Sequence, residues 1–82
     1  MRHILTLNAG SSSIKFALFD ARPDIVEQVR GQIEGLGSTP HLRAEQGGKP
    51  IADRKLQVHE AGDHDAALAI VLTLLRSTIG DM

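Results

Sequence analysis

Residues 8 to 15 read Asn-Ala-Gly-Ser-Ser-Ser-Ile-Lys. An amide, a glycine, three adjacent serines and a lysine stand between an apolar run, Ile4 to Leu7, and an alternating one, Ile14 to Phe19. A tight hairpin needs only two turn residues, commonly Asn-Gly or Asp-Gly. This connection therefore carries more hydrogen-bond donors than chain reversal demands. Two readings fit it. In one, Gly10 supplies a positive φ, the serines bond locally, and the loop satisfies only its own backbone. In the other, successive N–H groups of a tight glycine-containing loop form a nest for an anion. Serine hydroxyls then add donors and Lys15 adds a mobile positive charge, a set suited to phosphate. Asn8 offers a neutral carbonyl oxygen that can meet a hard cation directly or through water.

Two familiar phosphate-binding patterns are absent. G-x-x-x-x-G-K-[ST] does not occur, and the loop leads into a strand rather than a helix; G-x-G-x-x-G is also missing.

The elements that must position this loop follow from periodicity. Ile4 to Leu7 is apolar on both faces apart from Thr6, which predicts a buried central strand. In Ile14 to Phe19, Ile14, Phe16 and Leu18 share one face and Lys15, Ala17 and Phe19 the other. A connection of about six residues predicts an antiparallel hairpin in which Lys15, the second residue of its strand, reaches back over the loop. Ala21-Arg22-Pro23-Asp24 predicts a turn. Ile25 to Ile33 predicts a third strand, since Gly31, Gly35 and Gly37 weaken a helix there. His41 to Gln46, the Gly47-Gly48-Lys49-Pro50 turn and Ile51 to His59 predict a polar outer hairpin with one solvated face. A helix then opens, with Asp63 as N-cap and Gly80 as terminator. Its run AALAIVLTLL is apolar nearly all round, which predicts cover on several sides.

Composition narrows the function class. The 82 residues carry a formal net charge of −1, so there is no electrostatic footprint for nucleic acid or an anionic membrane. Cysteine is absent, which removes disulfides and thiolate metal sites. No apolar run approaches the roughly twenty residues of a membrane span. The first apolar run, about four residues, is short of the roughly 7–15 of a signal-peptide core, so a cytoplasmic location is expected. Phe16 and Phe19 are the only aromatics. A chain so short, without disulfides, is marginally stabilised alone. We therefore expect residues 1–82 to form a single partial domain of a longer fold.

The stretch ILTLNAGSSSIKFALFD resembles the N-terminal signature of the acetate kinase family, which includes propionate kinases. The core N-A-G-S-S-S-[hydrophobic]-K matches at every position from Asn8 to Lys15. More distant ATPases of the same fold typically carry Asp in place of Asn8, and butyrate kinases usually read N-P-G-S-T-S. The later D-H-x-x-A-L and its long apolar helix resemble the family more loosely. The resemblance implies an α/β fold: the N-terminal part of a ribonuclease-H-like domain of the actin, chaperone-ATPase and sugar-kinase type, with antiparallel strands followed by a helix. It implies transfer of the ATP γ-phosphate to acetate or another short-chain carboxylate, giving an acyl phosphate and ADP, with Mg²⁺, in a cytoplasmic homodimer. On the matching positions it implies that Asn8 sits at the metal and γ-phosphate. Gly10, Ser11, Ser12 and Ser13 would line the phosphates, and Lys15 would bind ATP. Family members are several-fold longer, and their substrate arginines, catalytic acid and adenosine pocket have no counterpart here. No catalytic residue is therefore expected in this chain, and the isolated 82 residues are expected to be inactive. The alternative is a non-catalytic phosphate- or nucleotide-binding module, or a subunit that pairs with another chain.

Other chemistry-bearing residues read as structural. HEAGDHD packs His59 and His64 with Glu60, Asp63 and Asp65, but lacks H-E-x-x-H spacing and sits where acids cap a helix. Lys49, Lys55 and the nearby arginines read as a solvated hairpin face, and Arg43, Arg54 and Arg76 as surface or helix-end charges.

Overall fold

The computed structural model describes residues 3–21 and 24–79. Five strands precede one helix: β1 (His3–Ala9), β2 (Ser13–Asp20), β3 (Val26–Glu34), β4 (His41–Gln46), β5 (Lys49–Lys55) and α1 (His64–Ile79). The strands form one antiparallel sheet in the order β1-β2-β3-β4-β5, a meander of successive hairpins. The expected fold class, antiparallel strands followed by a helix, is present. The turn at Arg22 and Pro23 and the terminator Gly80 lie outside the described residues.

Alternation on β2 divides the sheet. Ile14, Phe16 and Leu18 are buried on the face that α1 covers, and Val29, Ile33, Leu42 and Ala44 continue that face across β3 and β4. The helix contributes Ala67, Val71 and Leu75, spaced four apart so that they stack on one side, each 0% exposed. Leu68, Ile70 and Leu74 are half-buried beside them, while Ala69, Thr73 and Arg76 face outward. Within the described residues the helix thus has one buried stripe with half-covered flanks, and the cover on several sides that its apolar run predicts is not supplied by these residues. Asp63 caps it as expected: its Oδ1 accepts from the Ala66 N–H at 2.8 Å, and its carbonyl oxygen accepts from Ala67 at 3.1 Å.

Strand placement corrects one expectation. Among the described strands β1 is an edge rather than central, paired with β2 alone, and Ile4 and Leu7 are 39% and 46% exposed. Apolar residues on both faces mark a buried strand only when both faces have cover, and α1 covers one. The outer hairpin turns at Gly47 and Gly48, φ 60° and 83°, the pair of positive values a two-residue primed turn requires. Its second strand begins earlier than the pattern suggests, at Lys49, and ends at Lys55. Pro50 is tolerated because β5 is the other edge.

Gly31 carries a packing constraint. It lies opposite Phe16 on one side and Ala44 on the other. A Cβ built there would stand 2.6 Å from Phe16 Cζ and 2.9 Å from Ala44 Cβ, and would run into the Arg43 carbonyl oxygen. The aromatic ring thus occupies the space that a side chain on its cross-strand neighbour would need. Gly31→Ala is expected to destabilise the fold by about 1–3 kcal/mol through overpacking. Urea unfolding checks this, and an unchanged midpoint contradicts it.

Candidate functional site

The loop is shorter than expected. β1 continues through Asn8 and Ala9, and β2 begins at Ser13, so only Gly10, Ser11 and Ser12 connect them. Lys15 is consequently the third residue of its strand. The ladder places it directly opposite Asn8, a register that holds facing Cβ atoms about 5 Å apart. Asn8 and Lys15 therefore stand side by side on the face away from α1, both exposed. Among the described residues Lys15 enters no ion pair.

Glycine at position 10 lacks the positive φ that the turn-forming reading gives it. The glycines with positive φ are Gly35, Gly37, Gly47 and Gly48, and Gly10 is not among them. A Cβ there would sit 2.8 Å from Ser13 Oγ, a contact that rotation of the serine hydroxyl relieves. The Gly10 N–H donates to the Ser13 carbonyl at 2.9 Å and closes the loop. The Ser12 carbonyl accepts from the Leu36 N–H at 2.9 Å. His64 Nε2 lies 2.7 Å from the Gly10 carbonyl oxygen and 3.2 Å from that of Ser13. Of the four carbonyls from Gly10 to Ser13 that could have faced a ligand, those of Gly10, Ser12 and Ser13 are engaged by the protein. The Ser11 and Ser12 side chains are exposed, and among the described residues neither of their N–H groups has a backbone acceptor outside the strand ladders. The loop presents donors and hides acceptors, the polarity an anion needs.

The open face carries more than the sequence reading assigned. The register continues the Asn8–Lys15 pair into Gln32, Arg43 and Asp53, a polar row crossing all five strands. With Arg30 and Glu45 from the adjacent row, these residues line a shallow concavity of about 640 Å³. Gly10 to Ser13 stand at its end and do not line it. Arg43 belongs to this row rather than being an isolated surface charge. His64, read as part of a capping segment, contacts the loop directly. Strand alternation could have revealed the row once the pairing was known, whereas the His64 contact spans 54 residues and leaves no local signal. Among the described residues no three His, Asp or Glu side chains converge as a metal cluster. No helix of the described residues is long and apolar enough to cross a membrane.

The strand–loop–strand unit thus ends in a donor-rich bend at one end of an antiparallel sheet. The sequence model of the Acetokinase family matches residues 3–81, so this chain belongs to that family. It is similar to the acetate kinase of Nitrobacter hamburgensis, 39% identical over 82 residues, which takes in 96% of this chain and 20% of that protein. The acetate kinase of Rhizobium meliloti is 36% identical over 70 residues, 83% of this chain and 18% of that one. The Rhodopseudomonas palustris (strain TIE-1) acetate kinase is 37% identical over 79 residues, 92% and 19% respectively. The chain thus spans about a fifth of the length of these relatives. No solved structure matches it.

At the far end of the polar row, His41 Nε2 donates to Asp53 Oδ1 at 2.5 Å. That hydrogen bond, helped by the nearby charges of His41 and Arg43, holds the Asp53 carboxyl below its usual 3.8, against a smaller desolvation effect. A lowered carboxyl pKa stabilises the fold above the unfolded value, and the gain is lost as pH falls through the folded value. The difference in thermal midpoint between the native chain and Asp53→Asn is therefore expected to be larger at pH 6 than at pH 3. An equal difference at both pH values contradicts this.

Proposed function

We propose that this chain forms the phosphate-holding segment of an ATP-dependent carboxylate kinase, which transfers the γ-phosphoryl group of ATP to acetate or another short-chain carboxylate and yields an acyl phosphate and ADP. The observation that carries the reading is the pairing of Asn8 with Lys15 beside a loop in which three of the four carbonyls are engaged by the protein, in a chain of the Acetokinase family. The larger architecture that suits it is a ribonuclease-H-like domain in a cytoplasmic homodimer.

Phosphoryl transfer asks a protein chiefly to position the phosphates and to stabilise charge, with little covalent work of its own. In this reading Gly10, Ser11, Ser12 and Ser13 hold phosphate oxygens through N–H and hydroxyl donors. Lys15 supplies a cation on the open face, next to Asn8, that enters no ion pair among the described residues. Mg²⁺ fits this site in a limited way. Asn8 and the serine hydroxyls are oxygen donors, but they are neutral, and no carboxylate cluster joins them among the described residues. Such a set supplements a cation whose other ligands are water and phosphate, the usual environment of Mg²⁺. When bound, the cation would neutralise charge on the phosphates, and Asn8 would be the residue of this chain that meets it, directly or through water.

A non-catalytic phosphate-binding module is the second reading, since a donor-rich bend holds an anion whether or not chemistry follows. Two experiments separate the readings. In the full-length protein, Lys15→Ala and Asn8→Ala are each expected to lower kcat/KM for ATP by roughly 100-fold, the scale on which one charge-stabilising donor acts. Wild-type kinetics for both would remove the assignment. The 82 residues alone, given ATP, Mg²⁺ and acetate, are expected to form no acetyl phosphate, and its accumulation in a hydroxamate assay would show that the segment suffices.

A further inference from the structure

We propose that His64 is a positioning residue for the phosphate loop: its Nε2–H clamps the Gly10 and Ser13 carbonyls and thereby aims the Ser11 N–H outward. The inference rests on the phosphotransfer reading for its purpose, but its geometry stands on separate observations. Both partners of Nε2 are backbone carbonyl oxygens, at 2.7 and 3.2 Å, and carbonyls only accept. Nε2 must therefore carry the proton, which fixes the tautomer of the neutral ring. Ser13's oxygen receives a second donor, the Gly10 N–H at 2.9 Å, so both of its lone pairs are used.

Peptide planarity turns this clamp into a control over donors. In a trans peptide the C=O of one residue and the N–H of the next point in opposite directions. A Gly10 carbonyl held toward His64 directs the Ser11 N–H away from the helix. The Leu36 N–H does the same at the next plane but one: by holding the Ser12 carbonyl at 2.9 Å it sets the Ser13 N–H. The clamp's own support is rigid. His64 is the first residue of α1, its turn is fixed by the Asp63 cap, and the helix is seated by Ala67, Val71 and Leu75. Helix packing on one face of the sheet is thus transmitted to the loop at the sheet's end through one imidazole.

The test uses the full-length protein that carries this segment. His64→Leu removes the donor and keeps apolar volume, and His64→Gln returns an N–H donor at the ε position. In His64→Leu, amide hydrogen exchange across residues 10–15 is expected to rise at least tenfold. The variant's kcat for phosphoryl transfer should fall about 10- to 100-fold, with KM for the carboxylate unchanged, the cost of a misplaced reacting group. His64→Gln should return both to within about threefold of wild type, a rescue that a merely space-filling histidine would not give. Wild-type exchange and kinetics in His64→Leu would overturn the clamp, as would failure of Gln to exceed Leu. Should His64→Leu not fold, ¹⁵N NMR of the wild-type imidazole decides: a protonated, slowly exchanging Nε2 supports the clamp and an Nδ1–H tautomer overturns it. A wild-type protein that phosphorylates no carboxylate would defeat the phosphotransfer reading, while the exchange and tautomer measurements, which need no activity, still decide the clamp.

Discussion

The register of β2 between its neighbours is the constraint on which the other features depend. Ile14, Phe16 and Leu18 must face α1, because no other residues of that strand can supply the core. With a side-chain period of two, Lys15 then has to face the opposite way. Pairing with β1 sets Asn8 opposite it, and pairing with β3 sets Gln32 on its other side. A slip of one residue would carry Phe16 into solvent and Lys15 under the helix, at the cost of an unpaired buried charge. The same hydrophobic demand that builds the core therefore places the polar pair, and no separate interaction is needed to bring those two side chains together.

The loop at the end of that hairpin is ordered by a different device. Three residues cannot bond among themselves enough to satisfy their own backbone, so carbonyls are taken up from outside: by the imidazole at the start of α1 and by the segment after β3. That segment is itself constrained, since Gly35 holds a φ of 71° and a Cβ there would run into the Thr39 carbonyl. Its neighbour Gly37 donates to Ala61, which leads into the helix cap. Three chain segments distant in sequence thus meet around the bend, and the hydrogen bonds among them leave its serine side chains at the surface.

Much of this was legible in the residues and some was not. The alternation of Ile14 to Phe19 fixed which side chains are buried, and Asp63 marked the start of the helix because a capping oxygen has a local signature. The glycine pair at 47 and 48 located its turn for the same reason. Position in the sheet was a different matter: Ile4 to Leu7 reads as central, yet whether a strand has one neighbour or two is decided by the rest of the fold, not by its own side chains. Gly10 shows the limit at a single residue, since a glycine with positive φ and one without it look alike in a sequence. The polar row on the open face required the registers of four hairpins, and the imidazole contact required the docked helix. Within the candidate site, the identities of Asn8 through Lys15 were apparent, whereas the groups that hold their backbone were not.

The meander has a consequence for the order in which the chain acquires its shape. Each strand pairs with the one synthesised just before it, so every hairpin closes over a short span and the entropy lost in each closure is small. The sheet can assemble as a ribbon while the C-terminal helix is still being made. The bend between the first two strands is an exception: although its flanks pair early, the imidazole that restrains it arrives 54 residues later. The first hairpin in chain order thus gains the restraint on its bend only once the helix has been made.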